Sequence, residues 1–239
     1  MIKVRNISKA FDHQVVLSNI NFDVQDEEIV VILGESGSGK SVFLKHLVGL
    51  LHPDQGSIEI NGVDITKLSE KALLQFRRNI GYLFQEGALY DFMTVFENVA
   101  FPLQEHTKMK FLEIKRKVEA TLQMVGLEEA AMKFPAELSG GMRKRAALAR
   151  SIILGTKILF CDEPTSGLDP IRSRDISDLI ESISRQLKCT TIVTSHDIKN
   201  SFRLADRLMI INAGKIMAMG TQTQLETSAD PFVREFLKS

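Results

Sequence analysis

Five consecutive aliphatic residues, Ile29-Val30-Val31-Ile32-Leu33, run without a break into Gly34-Glu35-Ser36-Gly37-Ser38-Gly39-Lys40-Ser41, and an apolar helical pattern follows from Ser41 to Leu50. A short continuous apolar run suits a strand buried on both faces of a parallel sheet. The string G-x-x-x-x-G-K-S between such a strand and a helix is a phosphate cradle. Gly34, Gly37 and Gly39 let the backbone take positive φ and bring N–H groups against phosphate oxygens, and the helix N-terminus adds its partial positive charge. Lys40 is then expected to reach the β- and γ-phosphates and the Ser41 hydroxyl to bind Mg²⁺, which makes ATP and Mg²⁺ the expected cofactors. Glu35, Ser36, Ser38 and Val42 complete the expected nucleotide-binding segment.

Ile158-Leu159-Phe160-Cys161 and Thr191-Ile192-Val193-Thr194 are further buried-strand runs, and helical patterns at Met142 to Ile153 and Ile171 to Leu187 separate them. Strand, helix, strand, helix argues for βαβ units and an α/β core sheet. Alternation at Ile20, Phe22 and Val24, and at Ile58 and Ile60, predicts half-exposed antiparallel strands in a small β-subdomain. From about Glu86 to Leu138 no buried-strand run occurs, and helix-like segments at Val95 to Val99 and Lys110 to Val125 predict an inserted helical subdomain. A hairpin is expected from Leu208 to Met219, turning at Asn212-Ala213-Gly214-Lys215, then two short helices ending near Lys238.

With 30 basic and 30 acidic side chains in 239 residues, no net field draws the chain to nucleic acid, which is not an expected partner. Cys161 and Cys189, at a strand interior and a strand start, make no disulfide framework, in keeping with a reducing cytoplasm. Met1-Ile2-Lys3-Val4-Arg5-Asn6 alternates apolar and charged residues instead of building a signal peptide. No stretch approaches the roughly 18 apolar residues of a membrane helix, so a membrane process would need another chain to supply the spanning part.

Two adjacent carboxylates, Asp162 and Glu163, end the run Ile158 to Cys161 and precede Pro164. At the carboxyl edge of a buried strand, beside the phosphate loop, Asp162 suits Mg²⁺ and Glu163 suits polarising a water. Leu138-Ser139-Gly140-Gly141-Met142 opens another helical pattern, so a Ser hydroxyl and Gly N–H groups await an anion that nothing in this chain obviously supplies. Taken alone it could equally be an ordinary Ser-Gly-Gly helix cap.

With these motifs in order, the chain resembles the ATP-binding-cassette family over essentially its whole length. The resemblance implies an α/β phosphate-loop NTPase cassette. Its RecA-like parallel-sheet core carries an N-terminal antiparallel β-subdomain and an inserted helical subdomain, with 1–85 and 139–239 forming the nucleotide-binding core and 86–138 the insertion. It implies a head-to-tail dimer with a second copy, in which Ser139, Gly140 and Gly141 meet the γ-phosphate in trans. It further implies that Phe11 stacks on adenine, that Gln85 touches Mg²⁺ or water, and that Ser166, Gly167, Leu168 and Asp169 cross the dimer interface. His196 matches the residue that contacts the γ-phosphate. Catalysis would rest on Glu163, His196 and Gln85, and the metal on Ser41, Gln85 and Asp162. His13, His46, His52 and His106 match no such site and are expected to be structural or surface residues.

The signature departs from its family's usual L-S-G-G-Q at Met142. The stretch Leu138 to Arg150, the segment Phe84 to Tyr90 continuing through Asn98 to Thr107, and the ending Asp230 to Leu237 are similar to the cassette of the Mla-type phospholipid transporters. That likeness implies a peripheral ATPase on the cytoplasmic face of the inner membrane. Its partners would be a MlaE-like permease, docked near Leu89, Tyr90, Phe92 and Met93, and an MCE-domain lipid-binding protein. The sequence closes soon after Leu237, so no longer tail is expected to help pairing. A cassette serving a small polar solute would carry the same chemistry, and a soluble ABC protein of DNA repair or translation is the alternative from another class.

Overall fold

A computed structural model of the chain describes residues 1–238. In chain order the strands are β1 (Ile2–Phe11), β2 (Gln14–Val24), β3 (Ile29–Leu33), β4 (Gln55–Ile60), β5 (Val63–Asp64), β6 (Ile80–Leu83), β7 (Ile158–Asp162), β8 (Thr190–Ser195), β9 (Arg207–Asn212) and β10 (Lys215–Gly220). The helices are α1 (Lys40–Leu47), α2 (Glu70–Arg77), α3 (Val95–His106), α4 (Phe111–Met124), α5 (Gly140–Ile152), α6 (Pro170–Leu187), α7 (Ile198–Leu204), α8 (Gln222–Glu226) and α9 (Pro231–Phe236). They fall into two compact units, Met1–Arg77 with the chain from Thr190 onward, and Arg78–Cys189.

The first unit holds an antiparallel sheet in the order β2-β1-β4-β5. Its inner face is the predicted alternation: Ile20, Phe22 and Val24 of β2 and Ile58 and Ile60 of β4 are buried, joined by Ile2, Val4 and Ile7 of β1. β1 and β2 are linked through Asp12 and His13, both at positive φ (45° and 67°). This is the backbone of a two-residue type I′ hairpin, whose twist matches that of the strands it joins. β3 is fully buried and lies between two parallel neighbours, with Val31 opposite Val193 of β8 and Leu208 of β9. The hairpin expected near the end is β9–β10, turning through Ala213 and Gly214 at φ 44° and 73°.

In the second unit β6 and β7 pair in parallel, Ile80 opposite Ile158 and Leu83 opposite Cys161. Gly81 is needed there for close approach, because a Cβ would stand 2.6 Å from the Ser151 carbonyl oxygen. Helices α3, α4 and α5 pack on one another. α3 starts on a capping box in which Thr94 and Glu97 satisfy each other's backbone N–H. It runs on through Pro102 to His106, seven residues past the expected end. α5 begins at Gly140 with Ser139 as its cap, two residues before the apolar pattern at Met142. Cys161 and Cys189 are both buried, and neither is in a disulfide. Burial pushes the Cys189 thiol up to about 11, and its Sγ donates to the Thr156 carbonyl at 3.0 Å. Among the described residues no helix is long and apolar enough to cross a membrane.

Candidate functional site

In the first unit the loop after β3 is shaped by glycine. Gly37 and Gly39 stand at φ 81° and 103°, and a Cβ on Gly39 would come within 2.9 Å of the Val16 carbonyl oxygen. Gly34 leaves even less room, since its Cβ would lie 2.4 Å from the Ile211 carbonyl oxygen and 2.6 Å from Ser38 Oγ. Gly39 caps α1, so the loop ends on a helix N-terminus whose first N–H groups have no intrahelical acceptor. Lys40, 5% exposed, folds back over the loop and donates from Nζ to the carbonyls of Gly34 (2.7 Å) and Glu35 (3.0 Å). Glu35, Ser36 and Gly37 are exposed at the crest. Positive-φ glycines, a helix N-terminus and a lysine folded over an exposed crest are what a polyphosphate requires, and the residues present fit one.

The underside of the loop rests on the last hairpin. Gly214 N–H donates to the Ser38 carbonyl (3.3 Å), and the Gly214 carbonyl accepts from Ser18 N–H (2.9 Å). Gly214 could carry no side chain, for its Cβ would lie 2.2 Å from the Val16 carbonyl oxygen. The β3–β8 register sets Leu33 opposite Ser195, so His196 leaves its strand at the level where Gly34 begins the loop, and it is exposed. Ser41 and Val42 lie in the first turn of α1, and Phe11 ends β1 at the tip of its hairpin.

The second unit gathers the remaining predicted residues. Asp162, 6% exposed, ends the buried strand β7, and Glu163, 8% exposed, is the first residue past it. Glu163 sits at φ 46°, a backbone region that disfavours a side chain and that marks functional positions when other contacts enforce it. Tyr82 donates its hydroxyl to Asp162 Oδ2 at 3.4 Å, and burial raises the Tyr82 pKa, with the Asp162 charge adding to it. Gln85, exposed, donates from Nε2 to Ser166 Oγ at 3.3 Å. Asp169 caps α6, accepting from Ile171 and Arg172 N–H at 3.1 and 3.0 Å. These backbone donors, the Arg172 N–H foremost, hold its carboxyl below the usual range. Ser139 Oγ accepts from Met142 N–H at 3.4 Å. Gly140 packs close under Leu168, 3.2 Å from where its Cβ would be, so the Ser-Gly-Gly turn and the Ser166–Asp169 loop are neighbours.

Three residues that sequence reasoning missed organise this unit. Lys144 on α5 is buried and donates from Nζ to the Gln85 carbonyl. Burial pushes its ammonium pKa down, while the charges of Glu86, Glu163 and Asp162 pull it back. Six residues further along α5, Arg150 donates to the Gly87 carbonyl at 2.9 Å and lies over the Tyr90 ring. The backbone from Gln85 to Gly87 is therefore fastened to α5 at two points. Asn98, fully buried, accepts from Tyr90 N–H and donates to the carbonyls of Tyr90, Met93 and Thr94, all within 2.8 to 3.1 Å. It leaves Phe92 75% exposed on the loop it holds. The signal for all three was a polar residue inside an apolar helical stripe: Asn98 between Val95 and Val99, Lys144 and Arg150 around Ala146, Ala147 and Ala149.

A family model described as ABC transporter matches residues 17–166. Over 236 residues the chain is 44% identical to the probable ribonucleotide transport ATP-binding protein mkl of Mycobacterium leprae (strain TN), covering 99% of this chain and 68% of that protein. It is 42% identical over 238 residues to the intermembrane phospholipid transport system ATP-binding protein MlaF of Haemophilus influenzae, covering 100% of this chain and 90% of the relative. The MlaF of Escherichia coli (strain K12) is 38% identical over 237 residues. Among solved structures, dimeric MJ0796, described as a bacterial ABC transporter cassette, superposes with a TM-score of 0.86 at 30% identity, covering 92% of this chain and 98% of that one. A post-hydrolysis state of MJ0796, bound to ADP and Pi, gives a TM-score of 0.85.

Proposed function

The chain belongs to the ABC transporter family and is an ATP-hydrolysing cassette of it, and from that premise we propose that it powers phospholipid transport between membranes. The observation that carries the cargo is the end-to-end match to MlaF, 42% identity over all of this chain and 90% of the relative. A MlaE-like permease would dock on the loop that Asn98 and Arg150 hold and that exposes Phe92, with an MCE-domain protein in the same complex. The chain would then sit peripherally on the cytoplasmic face of the inner membrane. Residues 86–138 serve as its helical subdomain, and 1–85 with 139–239 as its nucleotide-binding core.

In this reading Phe11 stacks on adenine, the Gly34–Val42 segment cradles the phosphates through backbone N–H groups, and Lys40 turns its ammonium from the Gly34 and Glu35 carbonyls to the β- and γ-phosphates. By the family resemblance Ser41, Asp162 and Gln85 would hold Mg²⁺, which would supply charge neutralisation on the phosphate oxygens. Glu163 accepts a proton from the attacking water at its carboxylate, and His196 donates to the γ-phosphate. Ser139, Gly140 and Gly141 act on the nucleotide of a second copy, and Ser166 to Asp169 lie along the joint between the copies.

A second reading comes from the mycobacterial relative at 44% identity, whose name assigns it ribonucleotide transport. Purification of the complex from native membranes, with mass spectrometry of its proteins and bound small molecules, separates the two. A permease, an MCE protein and co-purified phospholipid are expected. A permease paired instead with a soluble solute-binding protein and no lipid would overturn the lipid assignment.

A further inference from the structure

Phe11 is 40% exposed at its hairpin tip, and one face of its ring is already in use. The Lys9 ammonium stands over it, 5.3 Å from the centroid. Lys9 is itself held: Nζ donates to Asp54 Oδ1 at 2.7 Å. The other oxygen of that carboxylate accepts from Ala10 N–H at 2.8 Å, and Asp54 N–H donates to the Ser8 carbonyl at 2.9 Å. Asp54 therefore fixes the backbone on both sides of Lys9 as well as the charge at its end. Its pKa is lowered, first by the Lys9 hydrogen bond and then by the Ala10 N–H, so the anchor is charged at neutral pH.

A cation on one face of an aromatic ring fixes its orientation through the ring quadrupole. A ring already oriented loses less freedom when a second flat group stacks on its other side. We propose that Lys9, anchored by Asp54, is a positioning residue for base recognition, bracing Phe11 from one face so that the opposite face receives the purine of the nucleotide. The proposal rests on the reading of Phe11 as the base-stacking residue, and it adds to the site two residues, Lys9 and Asp54, that need touch neither base nor phosphate.

The test is equilibrium binding of two ligands to the purified full chain: ATP, and inorganic tripolyphosphate, which keeps the phosphates and lacks the base. Phe11→Ala should weaken ATP roughly tenfold or more and leave tripolyphosphate unmoved. Lys9→Met should weaken ATP by roughly two- to fivefold, again with tripolyphosphate unmoved. Lys9→Arg should restore ATP binding, and Asp54→Asn, which keeps the lysine but releases it, should give an intermediate loss. Equal weakening of both ligands by Lys9→Met would mean a through-space charge effect on the phosphates and would overturn the proposal. Unchanged ATP binding in Lys9→Met, with Phe11→Ala still selective, overturns the brace and leaves base stacking standing. Unchanged ATP binding in Phe11→Ala removes both.

Discussion

Glu163 is held at φ 46° just past the end of a fully buried strand, so the side chain expected to orient the attacking water occupies a backbone position that resists side chains. Two substitutions separate its chemistry from its conformation. Glu163→Gln keeps the shape, and is expected to bind ATP normally, lose turnover and accumulate an ATP-bound dimer, read by size-exclusion chromatography with ATP present. Glu163→Val adds a β-branch at positive φ, and is expected to be less stable than the Gln variant by more than about 1 kcal/mol in urea unfolding. His46 carries the pH-dependence at this scale. It lies on α1 at 1% exposure, with Nδ1 2.7 Å from the Val42 carbonyl. Burial lowers its pKa despite that carbonyl. Near pH 6.5 and below the unfolded chain takes up a proton that the folded chain refuses, so this contribution to stability is present above about pH 6.5 and is lost as pH falls toward the folded value. His46→Gln should flatten the fall in unfolding midpoint between pH 7 and pH 5.

At the scale of elements, the β9–β10 turn tests how the phosphate loop is kept in shape. Gly214 meets the Val16 carbonyl where a Cβ would go and donates to the Ser38 carbonyl. Gly214→Ala is expected to cost at least about 2 kcal/mol of stability and to weaken ATP binding in the folded fraction. Ala213→Gly, at φ 44° beside it, should stay within about 1 kcal/mol of the parent. Thermal unfolding with and without ATP checks both. Elements were legible where an unbroken apolar run or a single period dominated: β3, β7 and β8 by their runs, α6 and the last hairpin by their patterns, stand where the sequence put them. α2 and α7 were not anticipated, since α2 buries only Leu73 and α7 only Ser201 and Leu204, too few positions to set a period. The end of α3 was missed because Pro102 reads as a breaker. Of the proposed site residues, the glycines, Lys40 and the carboxylate pair stood out in the sequence, because their chemistry needs fixed spacing along the chain. Lys144, Arg150 and Asn98 showed only as polar residues in apolar stripes and Lys9 not at all, since each acts on a backbone carbonyl or a ring that only folding brings near.

At the scale of the molecule, Ser139 caps α5 beside Leu168 while its proposed target belongs to another copy. Ser139→Arg should leave ATP binding by the isolated chain unchanged and abolish both ATP-dependent dimerisation and turnover, measured by light scattering and phosphate release. Loss of ATP binding by that variant as a monomer would place the serine in its own chain's pocket instead. The contact between Gly214 and the phosphate loop also bears on how the protein is made. A ribosome releases Gly34 to Ser41 early, whereas both parallel neighbours of β3 and the turn beneath the loop come from residues beyond Thr190. A nascent chain thus carries its cradle for most of synthesis without the backstop that shapes it. Cellular ATP can then stabilise the finished polypeptide but not its emerging first half, and a prematurely terminated product would be left to proteases without the protection that bound nucleotide gives.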